Sequence, residues 1–250
     1  PGLTHKADIM TESRAAAAGG VTSIMDMPNT NPLTVTLDAL NAKFDLLNEK
    51  CIVNHSCYFG ATNDNYTEFD KLDKHRVCGI KLFMGSSTGN MLVDKMNSLL
   101  KIFNGTDMLI AAHCEDQETI KANIEKYRQK YKGADDIPVN AHPGIRSVPA
   151  CYASSELAVR LARIAGARLN ILHVSTAKEL QLFSDEPLED KNITSEACVA
   201  HLLFTLAHYN SLGARVKCNP AVKRKTDREA LRAAVNSGLI DVIATDPAPN

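Results

Sequence analysis

The chain has 250 residues, 44% hydrophobic and 23% charged, with 28 basic and 29 acidic side chains and a formal net charge of −1. Interspersed charges near neutrality exclude the basic stripe of a nucleic-acid binder and the polybasic face of a membrane-surface protein, and no apolar run approaches the roughly 20 residues of a membrane span. The length suits one α/β barrel or two small domains. The seven cysteines include no CxxC pair and read as reduced thiols of a cytosolic protein. No signal peptide opens the chain.

Pro1-Gly2-Leu3-Thr4-His5-Lys6 is the abrupt beginning expected of a fragment, with no strand before it. A helix is predicted over Lys6 to Ala18 and a strand over Val21 to Met27. Apolar spacing through Leu37, Leu40, Phe44 and Leu47 predicts a helix over Thr34 to Lys50. Cys51 to Phe59 and Val77 to Met84 are the next strands, then Met91 to Phe103 a helix. Asp107 to Ala112 is a buried strand and Gln117 to Tyr131 a helix. The polar, Gly- and Pro-rich stretch from Lys132 to Ser147 is too long for a plain connection and is a lid candidate. A helix over Val148 to Ala165, a strand over Arg168 to Val174 and a short helix over Thr176 to Phe183 follow. Ile193 to His201 is ambiguous between strand and helix; Thr226 is the expected cap of a helix running to Asn236; Leu239 to Thr245 is the last strand. Strands and helices alternate throughout, without a linker. This predicts a single incomplete barrel domain over 1–250 with seven strands, if Ile193 to Cys198 is one.

Several apolar runs end in a group with chemistry. One ends in His113 and turns acidic through Glu115 and Asp116. Another ends in His173, a third in Asp246, and Lys81 sits inside the run Cys78 to Met84. A lone histidine at a strand end is more simply a hydrogen-bonded structural residue. Two histidines and an aspartate at strand ends are different, because a parallel α/β barrel gathers those ends on its catalytic face. Imidazole and carboxylate are zinc ligands. A lysine in so apolar a run should have a depressed pKa, and a neutral amine can add carbon dioxide to become a carbamate. A plain salt bridge accounts for Lys81 equally well.

Gly2-Leu3-Thr4-His5-Lys6, Met27-Pro28-Asn29-Thr30, Lys81-Leu82-Phe83, His113-Cys114-Glu115-Asp116, His173-Val174-Ser175-Thr176, Asn219-Pro220 and Ala244-Thr245-Asp246 resemble the dihydroorotases of the amidohydrolase superfamily, in the family's order. The resemblance implies an α/β fold, a (β/α)8 TIM barrel of the metal-dependent hydrolase type, here lacking its first strand and closing helix, with Ile193 to Cys198 as strand seven. It implies Zn²⁺, two ions per complete site, bridged by a carbamylated Lys81. His113 and His173 would hold one ion and Asp246 the other. Such ions lie roughly 3.5–4 Å apart and make a bridging hydroxide nucleophilic. Attack on the ring amide, with Asp246 moving the proton, would interconvert dihydroorotate and N-carbamoyl-aspartate in pyrimidine biosynthesis. Asn29, Asn219 and Asn250 would contact the substrate, although Asn29 is equally a turn residue beside proline. A cytoplasmic homodimer acting on a small molecule, with neither nucleic acid nor membrane as partner, completes what the resemblance implies.

Two departures stand out. The family's first strand ends in His-x-His followed by an arginine, and neither occurs here; where the family reads His-Ala-Pro-His after the aspartate, this chain reads Pro247-Ala248-Pro249-Asn250. The chain is then either part of an enzyme or a homologue without activity that serves as a structural partner. A hydantoinase or allantoinase is the alternative within the class. His55 and His201 read as core or structural and Cys114 as a buried thiol; His142, beside Pro143 in the lid candidate, could approach substrate, but the reading that it does not is preferred.

Overall fold

The computed structural model describes residues 4–85, 89–132 and 137–248. Its strands are β1 (Ser23–Asp26), β2 (Asn54–Gly60), β3 (Val77–Phe83), β4 (Ile110–His113), β5 (Leu169–Ile171), β6 (Ile193–Cys198) and β7 (Val242–Ala244). The helices are α1 (Ile9–Ala18), α2 (Leu37–Lys50), α3 (Met96–Asn104), α4 (Gln117–Lys130), α5 (His142–Ile145), α6 (Val148–Ala165), α7 (Val199–Leu203), α8 (His208–Leu212) and α9 (Lys225–Asn236). The strands are ordered β1-β2-β3-β4-β5-β6-β7, each beside its successor in sequence. Short strands joined by helices in this order are the β/α repeat of a barrel. Seven strands are described where a closed barrel of this type has eight.

The described residues form two compact units, 4–83 with 89–111 and 247–248, and 84–85 with 112–132 and 137–246. In the first unit β1, β2 and β3 pair in parallel. Helix α2 starts at Thr36, whose hydroxyl accepts the Ala39 amide at 3.2 Å, and buries Leu40, Phe44 and Leu47. Lys43 is buried with them because its ammonium reaches the Asp26 carboxylate at 2.6 Å and the Met27 carbonyl at 2.7 Å, which ties α2 to the end of β1. A buried ammonium is tolerable only with such partners.

In the second unit β5, β6 and β7 pair in parallel. Helix α6 packs through small side chains, Ala150, Ser154, Ser155, Ala158 and Ala162, and stops at Gly166 in the left-handed region (φ 66°). Beneath it Glu179 is buried, accepting from the hydroxyls of Ser155 and Thr176, each at 2.8 Å. Lys223 is buried nearby, donating to the Ala221 carbonyl at 2.8 Å and the Ser175 hydroxyl at 3.2 Å.

Several local expectations change. Thr226 does not cap α9: Arg224 is the cap position, and Asp227 accepts the Arg224 amide at 3.1 Å. The short helix after His173 is a 3-10 turn over Glu179–Leu182. Ile193–Cys198 is a strand. Within the lid candidate, 137–147 carries α5 with His142 and Pro143 buried; Gly133, Ala134, Asp135 and Asp136 lie outside the described residues, as do Pro1, Gly2 and Leu3.

Candidate functional site

The second unit brings His113 and His173 together. His113 closes β4, a fully buried strand, and its carbonyl accepts the Met84 amide at 2.9 Å. His173 lies two residues past β5, in the left-handed region at φ 42°. The Leu172 amide donates to the Ala112 carbonyl at 3.0 Å, and the His173 amide to Glu196 Oε1 at 3.3 Å, so backbone contacts hold both histidines. His113 Nδ1 faces His173 Nε2 at 3.0 Å, with ring planes at 79°. Both side chains are buried.

Behind His113 stands Glu115, fully buried. Its Oε2 lies 3.1 Å from His113 Nε2 and accepts from Arg146 Nη1, while Oε1 has no hydrogen-bond partner among the described residues. Burial pushes the Glu115 carboxyl up, but the His113 hydrogen bond and the charges of His113, Arg146 and Lys223 outweigh it and leave it below the usual carboxylate range. The other nitrogen of the His113 ring, Nδ1, points at His173.

Asp246 follows β7 at φ 44° and is exposed. Its carboxylate is near enough to Cys198 and Cys218 to push both thiols up, in addition to the larger effect of burial. Among the described residues only Lys132, His173 and Asp246 combine a side chain with positive φ. The left-handed region costs an L-residue about 1–2 kcal/mol, and such strain concentrates where geometry matters for function. Two of the three are histidine and aspartate positions singled out by sequence.

The remaining candidates are less gathered. Lys81, in the first unit, is buried in β3 with its ammonium 4.2 Å from the centre of the Phe83 ring. Asn29 and Asn219 are exposed. Asn250 lies outside the described residues. Among the described residues no three His, Cys, Asp or Glu side chains cluster as a metal site. The pair nevertheless fits a divalent cation. Zn–N bonds of about 2.0–2.1 Å at a tetrahedral angle set ligand nitrogens about 3.3 Å apart, close to the 3.0 Å between His113 and His173. A carboxylate on the far ring nitrogen is the usual companion of a metal-bound histidine.

His142 Nε2 meets the Cys218 carbonyl at 2.9 Å, and burial lowers the pKa of the ring. His201 meets the Pro220 carbonyl at 2.9 Å and is buried, a structural histidine. His55 is half-buried against Asn48. Sequence reasoning missed the roles of Glu115, Arg146 and Glu196. Glu196 carried a signal: a carboxylate inside the apolar run Ile193–Cys198.

Over its whole length the chain is 30% identical to a dihydroorotase of Listeria innocua, and it is 30% identical to one of Staphylococcus epidermidis. The chain is similar to these dihydroorotases along its whole length. It spans 57% of the length of each of these two relatives. No protein-family profile matches it. The L-hydantoinase (dihydropyrimidinase) of Arthrobacter aurescens superposes on 96% of this chain, with 53% of its own length, at a TM-score of 0.86 and 27% identity. A dihydropyrimidinase of Brevibacillus agri covers 97% of this chain, with 54% of its own length, at a TM-score of 0.84 and 20% identity. The fold is accordingly that of a partial (β/α)8 barrel. No helix among the described residues is long and apolar enough to cross a membrane.

Proposed function

We propose that the protein is a cytoplasmic dihydroorotase, interconverting dihydroorotate and N-carbamoyl-aspartate, and that residues 1–250 are a single incomplete barrel domain of it. The observation that carries this reading is the facing pair His113 Nδ1 and His173 Nε2, backed by Glu115, in a chain similar to dihydroorotases. His113, His173, Asp246 and Lys81, the last as a carbamate, are the proposed metal ligands. Zinc ions held there would polarise the scissile carbonyl and lower the pKa of water toward 7.

The chain's own side chains do the rest. Asp246 is the proton carrier: its carboxylate accepts the proton released by the attacking water and returns it to the leaving ring nitrogen. Its exposure leaves it open to solvent and substrate. Asn29, Asn219 and Asn250 are the proposed contacts to the substrate carboxylate and ring, and a homodimer is the proposed assembly.

A hydantoinase is the second reading, favoured by the likeness to the Arthrobacter aurescens enzyme. Metal analysis and turnover of the whole protein separate the possibilities. Two metals per chain with dihydroorotate hydrolysis supports the proposal. Two metals with hydantoin hydrolysis alone supports the second reading. A metal-free protein inert to both substrates is a non-catalytic homologue.

A further inference from the structure

We propose that Glu115 is a positioning residue, locked by Arg146, that holds His113 in the tautomer and orientation required of a metal ligand. The inference rests on the metal reading of His113 and His173. It starts from how little freedom the carboxylate has. Glu115 Oε2 is shared between His113 Nε2, at 3.1 Å, and Arg146 Nη1. The backbone on either side is tied, His113 O to the Met84 amide and the Asp116 amide to the Ala150 carbonyl, both at 2.9 Å. Gly85 lies against the Glu115 backbone with no room for a side chain between them. The carboxylate cannot swing away, and the guanidinium keeps its charge neutralised in a site with almost no water contact.

The consequence falls on the imidazole. A neutral histidine carries one proton, and the hydrogen bond made by one ring nitrogen decides which nitrogen has it. With Glu115 taking Nε2–H, the Nδ1 lone pair is directed toward His173 Nε2, 3.0 Å away. Without Glu115 the proton can move to Nδ1 and block that face. A purely structural ion pair would stabilise the fold and leave the tautomer and the metal affinity untouched.

The test uses the whole protein and Co²⁺ alone as probe. Affinity is read from visible absorption with a competing chelator, for wild type, Glu115→Gln and Glu115→Ala. Loss of a carboxylate partner of this kind costs 10–100-fold in metal affinity. Glu115→Ala should fall at the upper end of that range. Glu115→Gln, whose amide oxygen can still accept from Nε2–H, should fall at the lower end. Wild type that binds Co²⁺ with Glu115→Ala binding equally well overturns the proposal and leaves the metal reading intact. Wild type that takes up no Co²⁺ overturns both. Nitrogen-15 NMR of His113 in the metal-free wild type requires no variant to fold: Nε2 protonated and Nδ1 bare is the expected result, and a proton on Nδ1 overturns the proposal.

Discussion

Gly85 sits directly against Glu115: a Cβ added to Gly85 would collide with the Glu115 carbonyl oxygen and lie 2.9 Å from its amide nitrogen. Backbone cannot yield as a flexible side chain does. Gly85→Ala should therefore cost about 1–3 kcal/mol through overpacking. For a chain of this size each kcal/mol lowers Tm by about 2–4 °C. A melting curve superimposable on wild type would show that the two backbones are not so closely apposed.

His201 predicts a pH dependence. Burial pushes its imidazole from 6.5 down to about 4, against a smaller upward pull from the Pro220 carbonyl. Below pH 6.5 the unfolded chain takes up a proton that the folded chain refuses, so stability falls as pH drops from 6.5 toward 4. At about 1.4 kcal/mol per pKa unit, the loss approaches ~3 kcal/mol at pH 4. His201→Gln removes the titration and keeps a donor for Pro220. Urea midpoints at pH 7.5, 6 and 5 should fall more steeply for wild type than for the variant; parallel slopes would refute the assignment.

Glu179 anchors a buried polar cluster with Ser155, Thr176 and Lys223. Burial raises its pKa, with the two hydroxyls and the Lys223 charge opposing. Glu179→Ala strands both hydroxyls, at about 1–3 kcal/mol for each buried group left unsatisfied. Glu179→Gln retains an acceptor and should cost less. Equal destabilisation of the two variants in chemical denaturation would mean that packing volume, not hydrogen bonding, is what Glu179 contributes.

Lys81→Ala tests the carbamate. If Lys81 bridges ions, the variant purifies with less metal, and millimolar acetate or propionate partly restores the content by supplying bridging oxygens. A variant that keeps its full metal content rules the bridging role out. Lys81 would then be a buried ammonium held against the Phe83 ring.

Alternation of short apolar runs with amphipathic stretches made the β/α order legible, and the termini of those runs pointed to His113, His173 and Asp246. Boundaries were less legible, for local reasons. The run from Asp107 becomes a strand only at Ile110, because Asp107 is drawn to Lys74 at 2.5 Å and the Met108 amide to the Thr106 hydroxyl at 3.1 Å. The run from Arg168 ends as a strand at Ile171, where the backbone turns toward a left-handed His173. Glu115 with Arg146 was not legible at all. Their pairing spans 31 residues and joins a strand end to an irregular segment, so no periodicity encodes it. What sequence offered was a lone arginine in a Gly- and Pro-rich stretch and an acidic residue two places after a histidine, and neither is distinctive alone.

The Arg146–Glu115 contact couples the segment around α5 to β4. Arg146 follows α5 directly, and its amide closes that short helix on the His142 carbonyl at 2.9 Å. Free-energy coupling between two sites is reciprocal. If unfastening 137–147 weakens the hold on His113, then a cation on His113 must fasten 137–147 by the same factor. Slower hydrogen exchange at the Arg146 amide on addition of Co²⁺ would be the far end of that one equilibrium, making the segment a built-in reporter of whether the histidines are loaded.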